Sequence, residues 1–361
     1  MKPHNIAIAC GVAGVAVGLA AAAGIVYRKQ IKSAASLKRL TDYADGYDLY
    51  AIDIAYGYDL DRIIAAGVRD DQAYIDAVVA QVLPGVPVHV QAPQFACSAF
   101  VAVGAEGRVR TGRNYDFKDD TSALLVRNHP RDGYASIGFA ALNNLGDNTP
   151  LDSVAGRAAA LMGPFAQLDG VNECGVSIAV LTLDSKPCDQ DAQRPVINTS
   201  LAIRLVLDRA ATTQEAVDLL SAYDMHAMAG RDYHFFINDA SGDARVVEWD
   251  PRDPDRAFKA TPVCQVTNFY ACHGDEVLPN QKNGELGHGK ERAVAIADVL
   301  DAHVGAQNEA VAWKALRAAA QEPNPEDITS NTQWSVVFDN TEPAAAITLR
   351  RHWGDIDAFA L

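Results

Sequence analysis

Strand-like apolar runs flank two helical blocks along this chain, which predicts an α+β fold of layered sheets and helices rather than a doubly wound sheet. Three observations carry that prediction. Short runs rich in β-branched and aromatic residues occur at 98–103, 123–127, 135–142 and 176–183. Longer stretches with helical spacing and start signals occur at about 199–223 and 290–320. A second group of strand-like runs stands at 233–249, 263–269 and 333–352. At 361 residues the chain suits one large domain or two small ones.

Taken in order, residues 5–27 are almost wholly apolar and uncharged, close to the ~20 residues that span a bilayer. Only Lys2 precedes them, whereas Arg28, Lys29, Lys32, Lys38 and Arg39 come after. A cleaved signal peptide carries its charge in front of a shorter apolar region, so an uncleaved membrane anchor is favoured over a signal within residues 1–30. The basic flank would hold the rest of the chain on the cytoplasmic side. Residues 40–96 are acidic and rich in tyrosine, with Tyr43, Tyr47, Tyr50, Tyr56 and Tyr58. A short helix is expected over 70–79, and Pro84, Pro87 and Pro93 imply an extended approach to Cys97.

Beyond that point, Phe100 and the valines of 98–103 make a strand, and Gly104-Ala105-Glu106-Gly107 supplies a turn into a returning strand that ends at Asp116. The helix from Thr212 to Tyr223 carries a capping box, Thr212 answered by Glu215. A hairpin is expected at 233–249 around Ala240-Ser241-Gly242-Asp243, and another at 333–352 turning at Asn340-Thr341-Glu342-Pro343. Helices are expected at about 290–303 and 308–320.

A hydrophobic fraction of 49 % with 21 % charged residues is ordinary for a folded globular chain. The formal net charge of −15 argues against nucleic acid as a partner, because phosphate contacts need clustered lysine and arginine. The six cysteines show no C-x-x-C spacing. Cys272-His273, near Cys264, lacks a second ligand pair at zinc spacing, so no metal and no cofactor is expected. Nothing in the spacing demands disulfides.

Chemistry concentrates at Cys97, with Arg113 and Asp116 sixteen and nineteen positions on. A thiol titrates near ~8.5 and attacks only as the thiolate. A free α-amine titrates near ~7.7–8.0 and can carry the thiol proton. An arginine beside the sulfur favours the thiolate, and an aspartate can hold the amine by a hydrogen bond. The turn at 104–107 folds Arg113 and Asp116 back beside Cys97. None of the nine histidines stands at a spacing that marks it as a base, and His234 and His273 read as structural or surface residues.

Cys97 opening an apolar strand, followed by Arg113-Asn114-Tyr115-Asp116, resembles the start of the mature choloylglycine hydrolases. These linear amide C–N hydrolases are N-terminal-nucleophile enzymes that include penicillin V acylase, bile salt hydrolase and the related acyltransferase and acid ceramidase branches. Asn172-Glu173-Cys174-Gly175 resembles that family's Asn-Glu-x-Gly turn, Thr267-Asn268 its Thr-Asn pair, and Arg292 its second active-site arginine. The resemblance covers about 97–350. It implies a four-layer αββα fold at 97–361, preceded by a pro-segment at 31–96 that follows the transmembrane helix read from the apolar run at 5–27. It also implies cleavage between Ala96 and Cys97, an acyl-enzyme on Cys97, and an oxyanion donor in Asn268.

Thr182 stands where relatives carry an oxyanion-site Asn or Tyr that bears on substrate choice, and Asn172 is grouped with it as substrate-binding. The 268–292 segment lacks the assembly insertion of bile salt hydrolases, and the long stretch before Cys97 resembles the acyltransferase and ceramidase branches. The expected partner is a small amide such as a conjugated bile acid, penicillin V or an N-acyl amino acid. Acyl transfer to an amine is the alternative, and a catalytically silent membrane-anchored binding module is the alternative of another class. A homo-oligomer is compatible with the sequence.

Overall fold

The computed structural model describes residues 27–84, 96–145, 151, 153–281, 284–324, 326–327 and 330–361. The described chain opens with α1 (Arg28–Ser36), the two-residue strand β1 (Lys38–Arg39) and β2 (Leu49–Ile54). Helices α2 (Leu60–Ala65) and α3 (Asp71–Val82) come next. Each is started by an aspartate, Asp59 or Asp70, whose carboxylate accepts from a first-turn N–H left without a helical partner. Strands β3 (Ala96–Val103) and β4 (Val109–Asp116) form an antiparallel hairpin. Beyond it lie β5 (Ala123–Asn128), β6 (Ser136–Ala141), α4 (Val154–Ala160), β7 (Gln167–Asn172) and β8 (Ser177–Leu183).

Strand β9 (Val196–Asn198) leads into α5 (Thr199–Arg209), capped by Asn198, whose side chain accepts from Leu201 N–H at 2.9 Å. At α6 (Thr213–Ser221), Thr212 Oγ1 accepts from Glu215 N–H at 3.1 Å, and Glu215 reaches back to Ala211 N–H at 2.8 Å. The strand β10 (Asp224–His226) pairs with β9, and β11 (Asp232–Asn238) turns into β12 (Ala244–Trp249). The chain ends through β13 (Phe258–Pro262), β14 (Gln265–Val266), α7 (Lys290–Asp301), α8 (Glu309–Ala319), β15 (Thr332–Asp339), β16 (Ala344–Leu349) and β17 (Asp357–Ala360).

Nine strands form one sheet in the order β1-β2-β5-β6-β7-β8-β11-β12-β13, and six form a second in the order β14-β3-β4-β15-β16-β17. The sheets face each other, with β3 against β8 and β11, and β15 against β7. Helices α7 and α8 cover the outer side of the six-stranded sheet, while α5 and α6 cover the nine-stranded one. This is the αββα layering that the resemblance implies. It explains why all eight residues of β4 are buried although five are polar or charged: the strand is central in its sheet and enclosed on both sides. Gly112 within it is a packing requirement, since a Cβ there would lie 2.1 Å from the Phe100 ring.

The segment before Cys97 has no core of its own. β2 pairs in parallel with β5, and Leu49, Ile52, Ile63, Tyr74, Val78 and Val82 join the same apolar cluster as the strands beyond Cys97. Tyr74 OH donates to Phe165 O at 2.8 Å, fastening α3 to the body of the molecule. Burial of these side chains contributes roughly 1.5–3 kcal/mol each, which holds the segment against the body of the molecule.

Some elements differ from the expectation. The strand expected at 263–269 is interrupted: β13 ends at Pro262, β14 covers two residues, and Asn268 stands past its end. Strands β2, β7, β13 and β17 were not expected from the sequence. No helix among the described residues is long and apolar enough to cross a membrane. The expected anchor at 5–27 lies outside the described residues except for Tyr27, as does the expected extended approach at 85–95.

Candidate active site

Antiparallel pairing sets Cys97 opposite Tyr115, residue 99 opposite Arg113 and residue 96 opposite Asp116. Alternation therefore puts Cys97, Arg113 and Tyr115 on the face toward the nine-stranded sheet, and Asp116 on the face toward α7 and α8. Arg113 reaches diagonally along its face, and its Nη2 donates to Cys97 Sγ at 3.3 Å. The same nitrogen lies 3.4 Å from Val180 O on the facing sheet. Its guanidinium packs 5.0 Å from the Tyr115 ring centre and 5.5 Å from that of Trp334.

Such a buried cation needs a counter-charge, and Asp169 on β7 supplies it at 3.0 Å. Asp169 in turn accepts from Trp334 Nε1 and from Phe139 N–H, each at 3.2 Å. Asp169 has no signal of its own in the sequence, although it opens the Asp-Gly-Val-Asn stretch that leads into the Asn172 turn. Burial pushes its carboxyl above the ordinary aspartate value, and Arg113 opposes that.

Asp116 meets a different set of groups from the one expected. Its carboxylate accepts from Thr332 Oγ1 at 2.6 Å, Gln321 Nε2 at 2.9 Å and Arg292 Nη1 at 3.1 Å. The Cys97 nitrogen instead donates to Asn268 Oδ1 at 3.0 Å. The cause is strand parity: Asp116 is paired with residue 96 and projects to the outer face. Arg292, in the first turn of α7, links the two sides. Its Nη1 also donates to Cys97 O at 3.0 Å, and its Nη2 to Asn268 Oδ1 at 2.7 Å.

Asn268 is thus oriented by its surroundings. Two donors fix its oxygen, and its Nδ2 donates one hydrogen to Thr182 O at 2.8 Å. The second amide hydrogen is not used by that contact. Thr182 is brought to the site through its carbonyl, and its buried hydroxyl has no hydrogen-bond partner among the described residues. Asn172 is not brought to Cys97. Its Oδ1 accepts from Cys174 and Val176 N–H, and its Nδ2 donates to Leu207 and Ala210 carbonyls, so it ties the β7–β8 turn to the end of α5.

Two histidines hold the Asn268 segment from behind. Buried His234 stands between Glu248 Oε2 at 3.2 Å and Thr267 O at 3.0 Å. His288 N–H donates to Asn268 O at 2.8 Å, while its Nδ1 meets Asp184 Oδ2 at 2.5 Å. Neither was legible as a positioning residue, because both act through the main chain of a distant segment.

The electrostatics describe a thiol at rest. Cys97 is fully buried, and that burial pushes its thiol up to about 12. Arg113 and Arg292 oppose the rise and Asp116 adds to it. Burial raises the Asp116 carboxyl as well, against Arg292. In the continuous chain the Cys97 nitrogen is an amide with no lone pair free to accept a proton.

The family model for acyl-coenzyme A:6-aminopenicillanic acid acyl-transferase matches residues 104–352, a span that holds Arg113, Asp116, Thr182, Asn268 and Arg292 and begins after Cys97. Among solved structures, penicillin V acylase from Agrobacterium tumefaciens is similar at 22% identity and a TM-score of 0.52, over 70% of this chain and 83% of that one. A mutant conjugated bile acid hydrolase from Clostridium perfringens is similar at 15% identity and a TM-score of 0.55, over 73% and 92% of the two chains. Both likenesses concern the fold. No curated protein matches the chain significantly.

Proposed function

Because the chain belongs to the acyl-coenzyme A:6-aminopenicillanic acid acyl-transferase family, within the N-terminal-nucleophile hydrolase fold, we propose that it is a cysteine amidase of linear N-acyl amides, with Cys97 as nucleophile. The observation that carries this reading is that both ends of one residue are addressed by buried polar groups. The Cys97 thiol has Arg113 at 3.3 Å, and its nitrogen has Asn268 at 3.0 Å. A structural cysteine needs neither partner.

In this reading, cleavage between Ala96 and Cys97 converts the amide nitrogen to a free amine. The amine takes the thiol proton, and the thiolate attacks the substrate carbonyl beside Arg113. The second Asn268 hydrogen donates to the oxyanion. The C–N bond breaks as the leaving amine takes up the proton. Water then releases the acid from the thioester. The raised thiol pKa of the continuous chain fits an inactive precursor.

Intact-mass analysis of purified protein tests the reading. A new N-terminus at Cys97, and loss of hydrolysis in Cys97→Ala across penicillin V, conjugated bile acids and N-acyl amino acids, are the expected results. Full activity in a single unbroken chain would exclude the α-amine as base. The matched family model favours acyl transfer as the second reading. It predicts that an acyl-coenzyme A thioester and 6-aminopenicillanic acid yield an amide product that exceeds hydrolysis.

A further inference from the structure

The end of β12 and the segment after Tyr270 bring three unlike donors together. One ligand atom each of Asp250, Cys272 and His273 lies within 4.8 Å of the other two, and all three residues are partly open to solvent. His273 Nε2 stands 2.9 Å from Asp250 Oδ1. We propose that Asp250, Cys272 and His273 form a site for a divalent cation of the zinc type, separate from the Cys97 site.

The donor set itself selects the ion. Thiolate, imidazole and carboxylate together suit zinc and its neighbours, whereas magnesium and calcium take oxygen alone. Bonds of about 2.0–2.3 Å in a tetrahedron place ligand atoms roughly 3.3–3.8 Å apart, so the observed group closes on an ion by side-chain shifts of about an ångström. Thiolate and carboxylate balance the double charge, and three protein ligands leave the fourth position to water.

The groups behind the ligands fit the same reading. His273 Nδ1 faces Glu276 Oε1 at 3.5 Å, which leaves Nε2 directed at Asp250. Glu276 is itself clamped by both terminal nitrogens of Arg252, at 2.8 and 2.9 Å. A carboxylate behind an imidazole is the usual support of a metal-binding histidine. The main chain that carries two of the ligands is fixed to the strand that leads into the third. Glu248 on β12 accepts from Cys272 N–H at 2.6 Å and from Ala271 N–H at 3.0 Å. Arg252 N–H donates to Asp250 Oδ1 at 3.0 Å and holds the carboxylate toward His273, while Lys259 Nζ lies 3.9 Å from the other oxygen.

On binding, the Cys272 S–H bond breaks, the sulfur pair forms the bond to the metal and the proton passes to the buffer. No electron is transferred. The ion would brace the stretch that continues from Asn268, tying it to the β12–β13 turn. Exposed Cys264 is not part of the group.

The test uses the full chain without a histidine tag, incubated with zinc chloride, dialysed and measured for metal per chain by elemental mass spectrometry. About one zinc per chain is expected. Cys272→Ser and His273→Gln should each retain at least tenfold less while keeping the wild-type circular dichroism, and Cys97→Ala should retain as much as wild type. Zinc should raise the melting temperature of wild type and Cys97→Ala, but not of the other two. A wild-type chain that keeps no zinc overturns the proposal. So does retention by Cys272→Ser and His273→Gln equal to wild type, or loss in Cys97→Ala.

Discussion

Arg113 is the residue on which the site and the fold depend together. It touches the Cys97 thiol and is paired with Asp169, both wholly buried. Removing it leaves a buried carboxylate without its cation, which costs about 3–5 kcal/mol. Arg113→Ala is therefore expected to unfold at markedly lower denaturant concentration as well as lose turnover. Arg113→Lys should recover most of the stability but only part of the turnover, because lysine lacks the planar fork by which one terminal nitrogen of Arg113 meets the sulfur and the other meets Asp169. Chemical denaturation with parallel kinetics separates the two effects. Asn268→Ala should lower the catalytic constant by roughly 10²–10³, the usual cost of one oxyanion donor. Unchanged turnover would assign that role to another group.

The thiol itself gives a further check at this scale. With its pKa pushed to about 12, Cys97 in the uncut chain is almost entirely protonated at neutral pH. At pH 8 its alkylation by iodoacetamide should be roughly a thousandfold slower than that of an ordinary thiol near ~8.5, and exposed Cys264 should react first. Peptide mapping of the uncut fraction reads this directly, and early labelling of Cys97 would contradict it. Its folded pKa lies above the unfolded one. The stability that this thiol contributes is therefore present below about pH 8.5 and lost as pH rises toward the folded value.

At the scale of elements, the loop at 284–289 positions Asn268 as much as any side chain does. Gly287 has a φ of 103°, and a Cβ there would lie 2.1 Å from Asn268 O. Gly287→Ala should displace the Asn268 segment and the start of α7 that carries Arg292. The expected outcome is a tenfold or greater loss of kcat with a lowered Tm. The hairpin of β3 and β4 is the opposite case, a local element whose register is set by the Gly104–Gly107 turn. That register alone places Arg113 on the face of Cys97, and it also places Asp116 on the other face.

For the whole molecule, β2 and α3 make the segment before Cys97 a structural layer of the αββα body. A cut at Ala96–Cys97 leaves the β2–β5 pairing and the shared core intact. The two pieces are expected to elute together in native size-exclusion chromatography and to separate only in denaturant. Elution of a free N-terminal piece under native conditions would refute the role given to that layer.

Composition and patterning by themselves determined the α+β class, the limits of most helices, and the cysteine–arginine pair of the β3–β4 hairpin. Those features rest on contacts between residues close in the chain, where periodicity and turn residues carry the signal. Only the tertiary structure decided which charge faces Arg113, since Asp169 arrives from the opposite sheet. The same holds for the turning of the Asn268 oxygen toward the Cys97 nitrogen, for the removal of Asn172 to the end of α5, and for the meeting of Asp250 with Cys272 and His273. Each of these is set by how two sheets face one another, or by where a strand stops. No spacing along the chain encodes that, because the free energy that fixes it comes from burial of both sheets at once.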